Sequence, residues 1–551
     1  MHGLSLQIHP DDNVRVALRD LPQGERVGEQ GGAHFTLSEA IPAKHKFAIR
    51  ELKAGAQIIM YGVPVGRAVT DIPRGFCLTT ENVRHAAASY QLEAGKYVWT
   101  PPVVDRFADR HFMGYHRVDG RVGTRNYWLV FPLVFCENRN IKVMEQAMLE
   151  QLGYAGQASP VMDVSQLINL YQQGASVEDL LKAEVGLEGE MKKKPRLFPQ
   201  VDGIKFLTHE GGCGGIRQDS ETLCRLLAGY IANPNVAGAT VLSLGCQNAQ
   251  MADLQAALQA LPSAAAKPVF FLEQQQSSSE KAFIAEAIKQ TFVGLTLANQ
   301  ISRQPAPLSK LVLGLECGGS DGFSGITANP ALGHASDLLV ALGGTALLSE
   351  FPELNGVEQE LIHRCREREQ AEKFVRLMQA YHARAEAVGS GFDMNPSPGN
   401  IRDGLITDAM KSAGAAKKGG TSPIVDVLDY AEPVSRAGLN LLCTPGNDVE
   451  STTGLAGSGA NLIVFTTGLG TPTGNPISPT VKFSSNTELY ERMPDLIDLD
   501  AGTIISGLDS IASKGEALLE YLIEVASGRI LTKAEILGQD DFIPWKRGIS
   551  L

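Results

Sequence analysis

The chain has 551 residues, too many for one core and suited to about three domains at ~100–200 residues each. Hydrophobic content of 44%, charged content of 20% and a net charge of −12 describe an ordinary globular balance and argue against a nucleic-acid or anionic-membrane surface as the main business. The eight cysteines are scattered without a CxxC pair, which argues against a zinc ribbon or a disulfide scaffold. No apolar run approaches the ~18 residues of a membrane span, and the N-terminus lacks the basic-then-apolar pattern of a secretory signal. A reduced, cytoplasmic protein is expected.

Residues 1–98 carry short β-type runs broken by Gly and Pro, such as HKFAIRELKAGAQIIMYGVPVGRAV, and predict a small β-rich domain. Residues 99–115 contain a Pro pair and mixed charge and read as a linker. From residue 116 the pattern changes. NYWLVFPLVFC, GIKFLTHEGGCGG, GATVLSLGCQN, LVLGLECGGSDG, LNLLCTPGND and NLIVFTTGLGTPTG are apolar runs that end on Gly, Cys, Ser, Thr or Asn. Helical segments such as SETLCRLLAGYIA, MADLQAALQAL and HASDLLVALGG lie between several of them. This alternation predicts two α/β domains with mainly parallel sheets, over residues 116–300 and 308–551, whose ligand crevices lie beyond the carboxyl ends of the strands. NQISRQPAPLSK (299–310) marks the boundary between them, and the charged stretch 178–200 reads as a solvated insertion without a catalytic role.

The candidate chemistry sits at those strand ends. In LECGGSDGFSGITANP, glycines following Cys317 allow close approach of a ligand and leave amides for anionic oxygens. Ser320, Asp321, Ser324, Thr327 and Asn329 add donors and acceptors without bulk, which suits a small hydroxylated anion. THEGGCGG places His209 four residues before Cys213, and LGCQN ends a strand on Cys246. Strand-terminal thiols, one beside a histidine, are suited to soft metals, although free cysteines are commonly buried small hydrophobes. NPSPGN (395–400) and TTGLGTPTGN (466–475) are expected to be irregular. The latter fits neither GxxxxGK[ST] nor a GxGxxG fingerprint with its distal acid.

In order along the chain, GYHRVDGRVGTRNY, THEGGCGG, SLGCQN, GLECGGSDGFSGITANPALG, NPSPGN, KKGGTSPIVDVLDYAEP, TPGND and FTTGLGTPTG resemble the sugar-acid dehydratase family of altronate and galactarate dehydratases. IHPDDNVRVAL…HKFAI…YGVPVGRAV is similar to the β-clip (SAF-type) domain that opens these enzymes, so the resemblance spans nearly the whole chain. GQDDFIPWKRGISL and TPTGNPISPTVKFSSNT lean toward the altronate enzymes. Two departures stand out: Gln247, not an acid, follows Cys246, and NPSPGN runs into IRDG, with Arg402 the nearest cation.

The resemblance implies loss of water from a 2,3-dihydroxy acid, with D-altronate giving 2-keto-3-deoxy-D-gluconate, and Fe²⁺ or Mn²⁺ as cofactor. It puts His9 and His45 forward as metal ligands and His209 as acid or base, with Cys213, Cys246, Cys317 and Asp321 as further catalytic candidates. Arg125, Asn126, Ser320, Ser324, Thr327, Asn329, Asn400 and Lys482 are candidates for holding carboxylate and hydroxyls. A homodimer acting on a small sugar acid, without nucleic-acid or membrane partners, is the expected assembly. Galactarate dehydration, cleavage of sulfolactate by a sulfo-lyase of the same fold, and a non-catalytic sugar-acid-binding protein are the alternatives.

Overall fold

Apolar runs that end on small polar residues form parallel strands here, and the helices between them cover both faces. The computed structural model describes residues 3–28, 34–87, 89–155, 162–187, 194–261, 263–264 and 266–550. The N-terminal SAF domain consists of short antiparallel strands, among them Val14–Ala17 paired with Lys46–Ala48 and Gln57–Met60 paired with Val63–Ala68. Val16, Ile58, Met60 and Val65 seal one side, and Leu21, Phe35 and Phe47 the other.

The second domain carries a four-stranded parallel sheet of β1 (Tyr127–Pro132), β2 (Gly203–Phe206), β3 (Val236–Ser243) and β4 (Val269–Glu273), in the order β2-β1-β3-β4. Its central strands are buried along their whole length, as a sheet covered on both faces requires. Helices α1 (Asn138–Gln151), α2 (Arg217–Ala232) and α3 (Glu280–Ala298) supply the cover. Among the described residues no helix is long and apolar enough to cross a membrane.

The C-terminal domain holds a seven-stranded, all-parallel sheet: β5 (Val312–Cys317), β6 (Thr345–Leu348), β7 (Ile424–Leu428), β8 (Gly438–Leu442), β9 (Leu462–Thr467), β10 (Thr480–Ser484) and β11 (Leu499–Asp500). The order is β7-β8-β6-β5-β9-β10-β11. The chain therefore leaves β5 toward β6 on one side and returns later to β9 on the other. That reversal is where an open parallel sheet parts its strand-end loops and makes a crevice. Helices α4 (Ala328–Ala341), α5 (Asp408–Ala415), α6 (Asp448–Gly457) and α7 (Ile511–Ala526) cover it.

Four stretches differ from their reading as loops or linkers. Residues His111–His116 and Gln304–Pro307, both expected to be linkers, pair as antiparallel strands and tie the two α/β domains together. The ANPALG stretch opens α4, so Asn329 is helical. The short helix Pro398–Arg402 begins within NPSPGN, capped by Ser397 and Asn400 in a reciprocal pair. Of the insertion 178–200, residues 188–193 lie outside the described residues.

Candidate active site

Cys317 is the last residue of β5 and is fully buried. Glu350 follows β6 by two residues and is held in the left-handed region at φ 67° and ψ 63°, a conformation that costs a non-glycine residue ~1–3 kcal/mol and is concentrated at functional sites. Its amide donates to Thr444 Oγ1 at 2.8 Å. One turn later comes Glu353, also buried. Lys411 on α5 and Lys418 just beyond it reach in from a third side, and Asp448, the first residue of α6, closes a fourth. Five elements thus deliver six ionisable groups to the carboxyl end of β5.

The contacts are tight and charge-complementary. Lys418 Nζ donates to Cys317 Sγ at 2.8 Å and to Glu350 Oε2 at 2.6 Å. Lys411 Nζ lies 2.6 Å from Glu353 Oε1 and donates to Asn395 Oδ1 at 2.9 Å. Cys317 Sγ lies 3.2 Å from Glu353 Oε2, a thiol donating to a carboxylate. Burial, reinforced by Glu350 and Glu353, pushes the Cys317 thiol well up. Burial resists ionisation of Glu353 too, but the ammonium groups of Lys411 and Lys418 outweigh it and hold that carboxyl below its ordinary range. Glu350 is raised, chiefly by burial and next by Glu353. Asp448 rises to about 7, because burial and the nearby Glu350 and Glu353 all disfavour its charge. Gly318 makes this approach possible: a Cβ there would stand 2.1 Å from Asp448 Oδ2 and 2.5 Å from the Phe465 ring.

Beneath the cluster, buried Glu316 accepts from Ser349 Oγ and Ser451 Oγ at 2.7 Å each. Burial, reinforced by Glu350, drives its carboxyl well above the usual range. Outside, a cavity of about 590 Å³ abuts the cluster. Asn395 is the wall between them, lining the cavity while its Nδ2 donates to Glu353 Oε1 at 3.3 Å. Tyr381, Arg384, Asn447 and Trp545 line the remainder.

The donor set accommodates a divalent cation. Cys317, Glu350 and Glu353 offer one sulfur and two carboxylate oxygens within 4.8 Å of one another. Glu350 Oε1 is buried without a hydrogen-bond partner among the described residues. A buried carboxylate oxygen left unpaired is costly, and a thiolate with two carboxylates suits a borderline-soft ion.

The remaining sequence candidates fall into three places. Around the 318–327 loop, Asp321 is fully buried: Oδ1 accepts from the amides of Phe323 and Ser324 and from the hydroxyls of Ser324 and Ser485, while Oδ2 accepts from Asn486 and faces Lys44 Nζ at 3.1 Å. Ser320 offers its carbonyl to Asn400 Nδ2; Thr327 Oγ1 bonds the carbonyls of Phe323 and Ser485; Asn329 bridges Gly414 and Thr466. These groups bond one another and hold the loop that carries Gly318 past Cys317. In the SAF domain, His9 is exposed with Asp11 at 3.7 Å, and His45 Nδ1 faces the Ala43 carbonyl; among the described residues neither belongs to a three-donor group.

In the second domain, buried His209 has Nε2 on the Pro132 carbonyl at 2.8 Å and Nδ1 accepting from the Gly211 amide at 3.1 Å. Burial lowers it to about 4, so the ring is neutral. Cys213 and Cys246 are exposed at the ends of β2 and β3. Arg125 is fully buried in a bidentate pair with Glu535, and Asn126 bonds the carbonyls of Gln200 and Ala298. Lys482 on β10 donates to Gln539 and is lowered by burial to about 8. Glu350, Glu353, Lys411, Lys418 and Asp448 were not singled out in the sequence. Their one signal was position, since SEFPEL and TPGND follow apolar runs as LECGG does.

A parallel-sheet crevice packed with paired acids, lysines and a thiol can move protons and stabilise developing charge, as an enzyme site must. The chain matches three consecutive family descriptions: "Altronate/galactarate dehydratase SAF domain" over residues 4–86, "D-galactarate dehydratase/Altronate hydrolase, second domain" over 114–299 and "D-galactarate/Altronate dehydratase, C-terminal" over 308–550. It is 34% identical to altronate dehydratase of Bacillus subtilis (strain 168) over 531 residues, covering 96% of this chain and 95% of that one. The altronate dehydratase of Escherichia coli (strain K12) is also 34% identical, over 527 residues and 95% of each chain. Galactarate dehydratase (L-threo-forming) of Escherichia coli (strain K12) is 32% identical over 544 residues, 97% of this chain and 94% of that one. The chain belongs to the altronate/galactarate dehydratase family.

Proposed function

We propose that this chain dehydrates a 2,3-dihydroxy sugar acid at the Cys317–Glu350–Glu353 cluster, with D-altronate as substrate and 2-keto-3-deoxy-D-gluconate as product. The observation that carries the reading is the cluster itself, in which buried acids and ammonium groups surround an unpartnered carboxylate oxygen beside a cavity whose mixed lining includes Arg384, Asn395 and Asn447. The altronate dehydratases among the relatives support the substrate.

The reaction removes a proton from C2 and hydroxide from C3, leaving an enol that tautomerises to the 2-keto-3-deoxy acid. The C2 proton is weakly acidic because charge builds on the adjacent carboxylate. Lys411 and Lys418 meet that charge with fixed, buried ammonium groups, which need no reorganisation as it develops. Asp448, at about 7, exchanges a proton near neutrality and suits either the removal at C2 or the protonation of the departing hydroxyl. Asn395, already bonded to Glu353 and Lys411, presents its amide to the cavity and orients hydroxyls. Cys317, Glu350 and Glu353 would hold Fe²⁺ or Mn²⁺, which supplies Lewis acidity toward carboxylate and hydroxyl oxygens when bound.

The test is an assay of purified protein with Fe²⁺ or Mn²⁺ against altronate, galactarate and sulfolactate, following formation of the 2-keto acid and solvent deuterium at C3. Turnover of altronate above the other two is expected. Preference for galactarate or sulfolactate would replace the substrate, and absence of turnover on all three would overturn the reading.

A further inference from the structure

Three of the eight cysteines are exposed, Cys136, Cys213 and Cys246, and the other five are buried. The exposed three stand beyond the carboxyl ends of three adjacent strands of one sheet, β1, β2 and β3, whose order is β2-β1-β3. The loops that carry them are laced together. The Phe135 amide donates to the Gly211 carbonyl at 3.2 Å, and the amides of Asn248 and Ala249 donate to the Gly212 carbonyl at 2.9 and 3.0 Å. Gly212, at φ 94°, packs so close to β1's loop that a Cβ would stand 2.0 Å from the Leu133 carbonyl oxygen. Each thiol is therefore within a few residues of one shared knot.

The loop around Cys213 leaves backbone donors unused. Cys213 lies within Gly-Gly-Cys-Gly-Gly, and among the described residues no acceptor meets the amides of Cys213 and Gly214. Successive free amides in such turns form concavities that hold phosphates and iron–sulfur groups. Gln275 Nε2 donates to Cys246 Sγ at 3.3 Å. A cavity of about 820 Å³ opens directly on Cys213, with Phe135 and Gly211–Gly215 on its wall. It shares Glu450, Trp545 and Lys546 with the cavity beside Glu353.

We propose that Cys136, Cys213 and Cys246 hold a cubane iron–sulfur cluster on three thiolates. The spacing selects this over a single ion. Thiolates around one tetrahedral ion bonded at ~2.3 Å sit ~3.8 Å apart, whereas these three sulfurs do not all fall within 4.8 Å of one another. Ligation replaces each thiol proton by iron; three protons leave to solvent and the electron count of the cluster is unchanged. With three protein thiolates, one iron lacks a cysteine and faces the cavity, where it accepts a hydroxyl or carboxylate oxygen without redox change. The proposal is independent of the role given to Cys317, Glu350 and Glu353.

The test is full-length protein purified under argon from iron-supplemented cells, measured for iron, acid-labile sulfide and visible absorption. About four irons and about four sulfides per chain are expected, with a charge-transfer band that bleaches in air. Cys136→Ser, Cys213→Ser and Cys246→Ser should each lower bound sulfide and the band roughly tenfold or more, while Cys317→Ser keeps both. Iron without sulfide, a sulfide-free colourless protein after anaerobic reconstitution, or a band that survives loss of any of the three thiols would overturn it.

Discussion

Lys418→Met tests how the buried cluster is balanced. Lys418 is 1% exposed in its side chain, and its Nζ contacts Cys317 Sγ at 2.8 Å and Glu350 Oε2 at 2.6 Å. Methionine keeps the length and removes the charge, so Glu350 is left beside Glu353 with no cation of its own. Removing one partner of a buried ion pair costs ~3–5 kcal/mol, because the other charge remains desolvated. Glu350 can escape part of that cost by taking up a proton, which sets the sign of the pH dependence. Its carboxyl is already raised by burial and by Glu353, and loss of Lys418 raises it further. The fold then binds more protons than the unfolded chain, so the variant's stability falls as pH rises above the ordinary carboxylate range. The deficit against wild type should be largest near pH ~8 and shrink toward pH ~5. The assay is chemical unfolding of both proteins across that range, alongside turnover of the sugar acid. Loss of a preorganised charge at the developing oxyanion should lower kcat by about 10²–10³. A variant with wild-type midpoints at every pH and wild-type kcat would refute both the pairing and the site.

Glu353→Gln should abolish specific binding of Mn²⁺, measured as manganese retained after gel filtration, while His9→Ala and His45→Ala keep wild-type manganese; the reverse pattern would move the ion to the SAF domain. Asp321→Asn should lower the unfolding free energy by ~3 kcal/mol, since it removes one of the two carboxylate partners of Lys44, Asp403 being the other, and turns an amide toward groups that already donate, and leave kcat within about tenfold; a loss of kcat beyond that at unchanged stability would make Asp321 part of the chemistry. His209 is neutral in the fold at about 4 against 6.5 in the open chain. The unfolded state therefore takes the proton first, and wild type should lose about 3 kcal/mol as pH falls from ~6.5 to ~4. His209→Gln should flatten that slope in an acid titration of stability, and an unchanged slope would refute the assignment.

Much of the architecture was written locally. LVLGLECGG announces a buried strand that stops on a thiol, and in the structure β5 ends on Cys317. GIKFLTHEGGCGG and GATVLSLGCQN likewise end in exposed Cys213 and Cys246. These features are legible because strand burial, strand end and glycine turn depend on neighbours in the sequence. The partners of Cys317 are different. Glu350, Glu353, Lys411, Lys418 and Asp448 come from four segments spread over about a hundred residues, and acids and lysines at such positions are ordinary surface residues by composition. Only the sheet order β8-β6-β5-β9 sets their segments around one strand end, and only the burial this produces turns them into a coupled cluster. The same holds for Asp321, whose small polar neighbours read as ligand groups but spend their hydrogen bonds on one another. Sequence states which side chains are present at each strand end; long-range packing decides which of them lose water, and the loss of water is what shifts their protons and makes them a site.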